Sequence, residues 1–389
     1  MYKTKEVKFI VGFNYGDEGK GVMSNYFTHI AKQRNMNVLN VLYNGGCQRG
    51  HTAQDHVFHC FGSGAILGAD TFYTKNFMVN PIAWFFEYKD LGQKPKLIIH
   101  PDARVTTPYD VSINQALERK RGIYRHGSCG LGIFETRHRS ELMKNYLTAK
   151  DFQDEFVLYE KLKAIRDNYF PKRCEELGIN DIEYNPYEFD NFISCIHQMM
   201  TCGNVIIKDN SILFQYDSVI FEGGQGLLLS ESNTKDFPHL TPSITEPGGA
   251  REELASLMSF TDAKFEFCYM TRPYLTRHGA GPLPHECNMW DISDKITDST
   301  NMPNEWQGSL RFAPFNAETV WRLYKTEKQS PRIDVSYGIT CLDQTDGKIA
   351  FYNPSTNLIE FKKLNHIFDR KECRLYAFYG KDTLPIIHI

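Results

Sequence analysis

One stretch constrains this chain more than any other: Phe13-Asn14-Tyr15-Gly16-Asp17-Glu18-Gly19-Lys20-Gly21. Before it, Val7-Lys8-Phe9-Ile10-Val11 is apolar apart from Lys8 and predicts a buried strand, while Val22 to Gln33 predicts a helix. The glycine-rich stretch is then the turn from strand to helix. Glycines let a backbone approach a ligand closely, and the free N–H groups of such a turn attract anions. Lys20 is expected to add a mobile positive charge. These are the parts of a phosphate site. The spacing differs from the P-loop G-x-x-x-x-G-K-[ST], because Gly21 and Val22 follow Lys20 and two acids sit inside the turn. Acids beside a phosphate imply either an intervening metal ion or a carboxylate that takes a proton. A tight turn with solvated acids is the alternative reading.

The rest of the composition narrows the setting. At 389 residues, with no sharp compositional boundary, the chain is expected to form one elaborate α/β unit over 1–389. The balance of 44 basic against 47 acidic residues argues against nucleic-acid binding by bulk charge, while local phosphate sites stay open. No apolar run reaches the length of a membrane span, and Met1-Tyr2-Lys3-Thr4-Lys5 leads straight into the first strand, so the expectation is a cytoplasmic protein without a membrane partner. Ten cysteines without a C-x-x-C pair indicate neither a zinc site nor a disulfide framework, and most are expected in the core.

Further glycine loops follow later strands. A strand from Asn37 to Tyr43 ends in Asn44-Gly45-Gly46-Cys47-Gln48-Arg49-Gly50-His51-Thr52. Ligands of open α/β sheets collect at the carboxyl ends of strands, so this loop and the first can face one pocket. His51 there is either structural or an acid suited to neutral pH. A strand from Lys96 to His100 and a helix from Tyr109 to Lys120 precede Gly127-Ser128-Cys129-Gly130-Leu131-Gly132, which suits another phosphate, with Arg137 and Arg139 as clamps. From Asp151 to Gln198 the pattern is charged, aromatic and mostly helical, a covering segment at about 151–198 without evident chemistry. The sheet resumes at Ser218 to Phe221, after which Glu222-Gly223-Gly224-Gln225-Gly226 is expected to turn and present an amide. Thr241, Ser243 and Thr245 offer hydroxyls to a site or to local turns. A strand from Phe265 to Met270 leads to Thr276-Arg277-His278-Gly279-Ala280-Gly281-Pro282; a polar loop from Asn304 carries Arg311, and Gly338 to Asp343 ends a short strand in an acid. The fold class predicted is α/β, with a large mainly parallel central sheet flanked by helices.

Taken in order, these loops resemble the adenylosuccinate synthetase family, from Val7 to about Gly347. The family's G-D-E-G-K-G is complete at Gly16 to Gly21. Its G-G-x-N-A-G-H-T is approximated by Gly45 to Thr52, its G-T-T-G-R-G by Gly127 to Gly132, and its F-E-G-A-Q-G by Phe221 to Gly226. Thr276 to Pro282 resembles T-R-V-G-A-G-P, and Thr340-Cys341-Leu342-Asp343 resembles T-K-L-D.

The resemblance implies a ligase that joins L-aspartate to C6 of a purine nucleoside monophosphate, driven by GTP through a 6-phosphoryl intermediate. It casts Asp17 as the base for the N1 proton, His51 as a stabiliser of developing charge, and Gln225 as the group that orients the purine or the reacting oxygens. Gly16, Asp17, Glu18, Gly19, Lys20 and Gly21 would cradle GTP, with Asp343 reading its base. Asp17 and the Gly50 carbonyl would hold Mg²⁺. Gln48, Ser128, Cys129 and Thr241 would line the acceptor site, Arg311 would pair with a carboxylate of aspartate, and Arg139 or Arg137 would be the arginine that crosses a homodimer interface. The chain also departs from the family. Gln48 replaces Asn, Arg49 replaces Ala, Cys129 replaces the second Thr, Leu131 replaces Arg, and His278 replaces an apolar residue. The G-R-x-R-R loop is reduced to Gly308-Ser309-Leu310-Arg311. Relatives that make 2-aminoadenylosuccinate from dGMP often carry a small residue where Asp17 stands, so the resemblance favours IMP over GMP or dGMP, and GTP over ATP. A GTP-binding regulator without ligase activity is the competing class.

Overall fold

The structure is a computed structural model that describes residues 3–388 apart from 93, 181, 183–186, 202, 299–300, 302–304, 327–330, 369–372 and 381–383. Cys202, Asn304 and part of the 151–198 segment lie outside the described residues. The strands in chain order are β1 (Glu6–Gly12), β2 (Val38–Leu42), β3 (His51–Ala53), β4 (His56–Phe58), β5 (Asp70–Tyr73), β6 (Leu97–Ile99), β7 (Val205–Ile207) and β8 (Ser218–Gly226). After them come β9 (Lys264–Thr271), β10 (Leu275–Arg277), β11 (Arg311–Ala313), β12 (Ile333–Ile339), β13 (Lys348–Asn353), β14 (Leu358–Lys363), β15 (Arg374–Ala377) and β16 (Ile386–His388).

Among the described residues, ten strands form one sheet in the order β16-β15-β12-β9-β1-β8-β2-β5-β6-β7. Every pairing in it is parallel except β15 with β16. A parallel sheet is covered on both faces, which explains why β1 reads as a continuous apolar run rather than an alternating one. Phe9 and Val11 enter a core shared with Leu254, Leu257 and Leu323, whereas Ile10 packs with Met23, Phe27 and Ala31 of α1 (Lys20–Gln33). Phe9 alone meets Tyr43, Phe221 and Phe267 at ring-centroid distances of 4.8, 5.1 and 5.2 Å. Burying one such ring stabilises the fold by about 1.5–3 kcal/mol.

Helices α2 (Pro81–Asp90), α3 (Pro108–Arg121) and α4 (Ile133–Leu142) follow the β5 and β6 strands. α5 (Glu155–Ala164), α6 (Phe170–Leu177) and α7 (Glu188–Thr201) occupy the predicted covering segment. Leu158, Leu162 and Ile165, then Phe189, Phe192, Ile196 and Met199, recur at helical spacing and are buried in one core with Leu97 and Ile99 of β6. No helix of the described residues is long and apolar enough to cross a membrane.

Three expectations need correction. Helix α1 begins at Lys20, two residues early, because Gly19 takes a left-handed conformation (φ 77°) and ends the loop there. The strand at Ser218 does not give way to a turn: β8 runs through its glycines to Gly226. A Cβ on Gly226 would strike the Asn14 carbonyl and lie 2.5 Å from the Gly16 nitrogen, so glycine here lets the strand lie directly against the first loop. Among the described cysteines only Cys47, Cys60 and Cys268 are buried, and none forms a disulfide.

Candidate active site

The loop after β1 is held from several sides. Arg322 donates to the Phe13 carbonyl at 2.9 Å and to Asn14 Oδ1 at 2.8 Å, and Asn14 Nδ2 donates to Thr271 Oγ1 at 3.0 Å. Glu18 folds inward, its Oε1 accepting from the Asn14 amide at 2.6 Å. Burial pushes its carboxyl up to about 7, against the pull of Lys20 and the Asn14 hydrogen bonds. Lys20 is not a mobile charge. It is 2% exposed, and desolvation lowers the pKa of its ammonium. A Cβ on Gly12 would strike Glu18 Oε2 and lie 3.0 Å from Lys20 Nζ, so both side chains crowd over the end of β1. Lys20 is thus fixed at the cavity wall, where a desolvated cation acts more strongly on an anion than a solvated one.

Asp17 adopts a left-handed conformation (φ 56°), and its carboxylate is partly exposed. Arg272 grips it twice, Nε donating to the backbone carbonyl at 2.6 Å and Nη2 donating to Oδ2. Asn301 Nδ2 adds a second bond to Oδ2 at 2.9 Å. Oδ1 has no hydrogen-bond partner among the described residues, and Asp17 borders the cavity. One carboxylate oxygen is therefore anchored while the other remains an open acceptor. His278 joins this group, its Nε2 lying 3.0 Å from Asn301 Oδ1.

The second glycine loop carries Arg49 and His51 onto the carboxylate of Glu222 from β8. His51 Nδ1 lies 2.6 Å from both Glu222 Oε1 and Arg49 Nη2, and Arg49 Nη2 also donates to that oxygen. Ser63 supplies two more donors, Oγ to Oε1 at 2.5 Å and its amide to Oε2 at 3.0 Å. Burial would raise the Glu222 carboxyl, but Arg49, His51 and Ser63 together hold it well below its ordinary value. Desolvation, with Arg49 adding to it, pulls the His51 pKa down to about 3, so its imidazole is neutral at pH 7. His51 is therefore not the ready acid that its ordinary pKa suggested; it is a neutral hydrogen-bonding group.

These loops surround a cavity of about 930 Å³. Gly16, Asp17 and Lys20 line it on one side, Gln48, Gly50 and His51 on another. Gln225 and Thr241 complete that wall, and Ser128 and Cys129 face it from the third loop. Gln48 and Gln225 converge: a Cβ on Gly45 would lie 2.6 Å from Gln48 Nε2 and 3.1 Å from Gln225 Oε1. Both atoms, with Gln48 Oε1, are buried without a hydrogen-bond partner among the described residues. Unpaired buried amides cost stability unless a ligand completes them, so this pair is aimed at a polar guest. Side chains of α3 tie down the third loop, Asn114 Nδ2 donating to Ser128 Oγ at 2.9 Å and Asn114 Oδ1 accepting from the Gly132 amide at 3.0 Å. Burial pushes the Cys129 thiol up to about 11, leaving it neutral.

Other predicted residues lie elsewhere. Glu18 and Gly19 of the first loop, and Gly21 in the first turn of α1, do not line the cavity. Gly21 is closed in by the Thr52 carbonyl, 2.9 Å from where a Cβ would sit. Arg139 is fully buried and pairs with Asp110 through Nε at 2.8 Å and Nη2 at 2.9 Å, with Nη2 also donating to the Val105 carbonyl. That corrects its assignment as a substrate clamp or interface arginine, since the guanidinium cannot leave without stranding a buried carboxylate. Arg137 does line the cavity, where it pairs with Glu231 and Glu141. Arg311 does not line the cavity; its guanidinium pairs with Glu286 and donates to the carbonyls of Gly279 and Gly281 at 3.0 and 2.9 Å. Asp343 is exposed in the turn after β12, apart from the cavity lining. Thr245 is fully buried, its carbonyl accepting from Tyr43.

Asp17 and Gly50, the residues named for Mg²⁺, both border the cavity. No cluster of three or more His, Cys, Asp or Glu side chains suited to a metal occurs among the described residues. Mg²⁺ commonly takes one or two protein oxygens and completes its shell with phosphates and water, so an open carboxylate oxygen beside a phosphate loop fits it.

Residues 9–306 match the sequence model of the adenylosuccinate synthetase family. This chain belongs to the adenylosuccinate synthetase family. That is a family of purine nucleotide–aspartate ligases. Similar curated proteins include the adenylosuccinate synthetases of Halothermothrix orenii (26% identical over 302 residues, 75% of this chain and 67% of that protein) and Prochlorococcus marinus (28% over 313 residues, 74% and 65%). The chain spans about two thirds of the length of the curated relatives it matches. Among solved structures, fully ligated adenylosuccinate synthetase from Plasmodium falciparum is similar in fold, with a TM-score of 0.69 at 17% identity over 98% of this chain and 87% of that one. So is cyanophage S-2L succinoaminodeoxyadenylate synthetase, PurZ, bound to dGMP and to dATP as an energy donor, with a TM-score of 0.60 at 17% identity over 97% and 93%. Within this synthetase-family chain, sequence reasoning missed Arg272 and Asn301 as partners of Asp17 and Glu222 as the partner of His51. Glu222 stood inside a quoted motif and could have been found there; Arg272 and Asn301 meet Asp17 only through the fold.

Proposed function

We propose that this chain joins L-aspartate to C6 of a 6-oxopurine nucleoside monophosphate, with IMP as acceptor and GTP as phosphoryl donor, giving adenylosuccinate, GDP and phosphate. The observation that carries the reading is Asp17: it borders the cavity with one carboxylate oxygen anchored by Arg272 and Asn301 and the other without a partner among the described residues, beside neutral His51, the unpaired Gln48 amide and the unpaired Gln225 Oε1. An anchored carboxylate with one open oxygen is suited to remove the N1 proton of the purine, which turns O6 into the nucleophile. O6 attacks the γ-phosphorus and GDP leaves. The amine of aspartate then adds at C6, loses a proton and expels O6 as inorganic phosphate. His51 and Lys20 face the charge that develops on the transferring oxygens, and Gln225 orients the purine. Asp17 and the Gly50 carbonyl would hold Mg²⁺, which when bound neutralises phosphate charge. Asp343, exposed after β12, can accept hydrogen bonds from guanine N1 and N2, a pairing that adenine lacks. The homodimer and the cytoplasmic setting are carried over from the family resemblance.

A guanine acceptor, GMP or dGMP, is the second reading, and one observation favours it. With Oδ2 of Asp17 already engaged, a guanine cannot draw both carboxylate oxygens into a paired hydrogen bond with N1–H and the 2-amino group. The objection that such pairing spoils proton transfer is then weaker. The fold likeness to a protein bound to dGMP keeps this alternative in view. The test is kcat/KM for IMP, GMP and dGMP against GTP and ATP at saturating aspartate. IMP with GTP should lead by tenfold or more, about 1.4 kcal/mol of transition-state binding. A tenfold preference for dGMP overturns the acceptor, equal use of ATP overturns the donor, and phosphate release that needs no aspartate favours a GTP-binding regulator.

A further inference from the structure

His278 departs from the family pattern, which has Val at this point of the motif that the chain carries as Thr276 to Pro282, and the proposed reaction leaves it without a role. The loop that bears it is pinned. Arg277, at the end of β10, donates from Nη1 to the Pro282 carbonyl at 2.7 Å and from Nη2 to the His239 carbonyl at 2.9 Å. The two ring nitrogens of His278 are in different situations. Asn301 Nδ2 donates to Asp17 Oδ2 at 2.9 Å and to Asp298 Oδ2 at 2.6 Å, and turning the amide over would set its carbonyl oxygen against both carboxylates. Asn301 Oδ1 is therefore the atom left for His278, and it accepts from Nε2–H at 3.0 Å. Nδ1 is buried without a hydrogen-bond partner among the described residues, and His278 borders the cavity. A buried polar atom left unpaired costs stability until a guest completes it.

The place of His278 decides which part of a guest that is. Through Asn301 it is tied to Asp17, where the proposed reaction sets N1 of the purine. On its other side, Gly279 and Ala280 lie against the third loop: a Cβ on Gly279 would lie 2.5 Å from the Gly127 carbonyl oxygen, and one on Gly127 would lie 2.5 Å from the Ala280 nitrogen. Ser128 follows Gly127, borders the cavity and suits the monophosphate. The sugar of a nucleoside monophosphate joins base to phosphate, so a residue placed between Asp17 and Ser128 lies alongside the sugar, whose free polar groups are hydroxyls. A hydroxyl donates to a bare Nδ1 and accepts from a protonated one, so the pairing does not depend on the charge of the ring. We infer that His278 binds a ribose hydroxyl of the acceptor through Nδ1 and thereby selects ribose over its deoxy forms. The inference rests on the proposed function for the orientation of the acceptor and goes beyond it, because Asp17 reads the base alone.

The test is isothermal titration calorimetry of the full chain, without donor or aspartate, with IMP, its 2′-deoxy analogue and its 3′-deoxy analogue, and with the same three sugars on guanine. In the unmodified protein one of the two deoxy analogues should bind about tenfold more weakly than the ribonucleotide on whichever base binds, as the loss of one hydrogen bond predicts, and that analogue names the hydroxyl. In His278→Val, which restores the family's residue, the ratio should collapse toward unity. Equal affinities for all three sugars in the unmodified protein overturn the inference. So does a ratio that persists in His278→Val, or a variant that weakens all three sugars alike, which is what a residue serving only to hold Asn301 would do. His278→Leu is the second variant should His278→Val fail to fold; failure of both makes His278 structural and overturns the inference as well. Because acceptor binding is read alone, sugar selection without ligation of aspartate contradicts the proposed function and not this inference, ligation that ignores the sugar contradicts this inference only, and the absence of binding by both series overturns the two together.

Discussion

Asp17 holds its two carboxylate oxygens in different situations, and that asymmetry carries the residue-level predictions. Asp17→Asn keeps the size of the side chain and can still meet Arg272 through its carbonyl oxygen, but it cannot take a proton. Its ligation rate is expected to fall by about 10²–10⁴-fold with an unchanged circular dichroism spectrum; near-normal turnover would remove Asp17 from the mechanism. Asp343 makes a separate claim. Asp343→Ala should raise KM for GTP several-fold while leaving KM for the acceptor nucleotide alone, and equal effects on both would show that the turn after β12 does not read the donor base. Asp17 and His51 were legible as residues of one cavity because their motifs place acid and imidazole in glycine-rich segments at strand ends. Their neighbours were not. Arg272, Asn301 and Glu222 reach these residues from distant strands and loops, and no spacing in the chain encodes such a meeting.

At the scale of elements, the site depends on β8 lying against the loop after β1. Gly226→Ala would push a methyl group into the Asn14 carbonyl and the Gly16 amide. Because both obstacles are backbone, relief requires the loop to move, so the variant is expected to lose most ligation activity and about 1–3 kcal/mol of stability, measured by denaturant unfolding. Full activity would show that the loop tolerates displacement. Arg139→Ala tests the corrected assignment: breaking the buried pair with Asp110 should cost about 3–5 kcal/mol. Any protein that remains folded should bind substrates normally. A selective rise in KM for aspartate or acceptor, without lost stability, would return Arg139 to the site. Here the sequence showed the strands and helices well, since β1, β2 and β9 are mostly apolar stretches broken by single polar residues, and α7 repeats apolar residues at helical spacing. It misjudged β8, because glycines that usually signal a turn here permit backbone-to-backbone packing inside a strand.

For the whole molecule, the parallel sheet and its covering helices were readable from alternating strands and helices, whereas the placement of β1 between β8 and β9 was not, being decided by which distant apolar strands cover it. The fold also leaves a stability signature. Burial raises the Glu253 carboxyl above its ordinary value of 4.5, with Oε1 unpartnered among the described residues. Between that value and the raised one, the folded protein keeps a proton that the unfolded chain has lost. The contribution is full below pH 4.5 and is lost as pH rises through the folded value. Glu253→Gln should therefore raise Tm by roughly 1–3 °C at neutral pH and change it little at pH 4, as read by thermal unfolding; the opposite ordering would mean that the carboxylate is stabilised in the fold. The central claim, that O6 of a purine attacks the donor phosphate before aspartate takes its place, is tested most directly by isotope transfer. With IMP labelled with ¹⁸O at C6, GTP and aspartate, each phosphate released should carry one ¹⁸O and the adenylosuccinate formed should carry none from that position. Unlabelled phosphate, or phosphate released at the same rate without aspartate, would contradict the account.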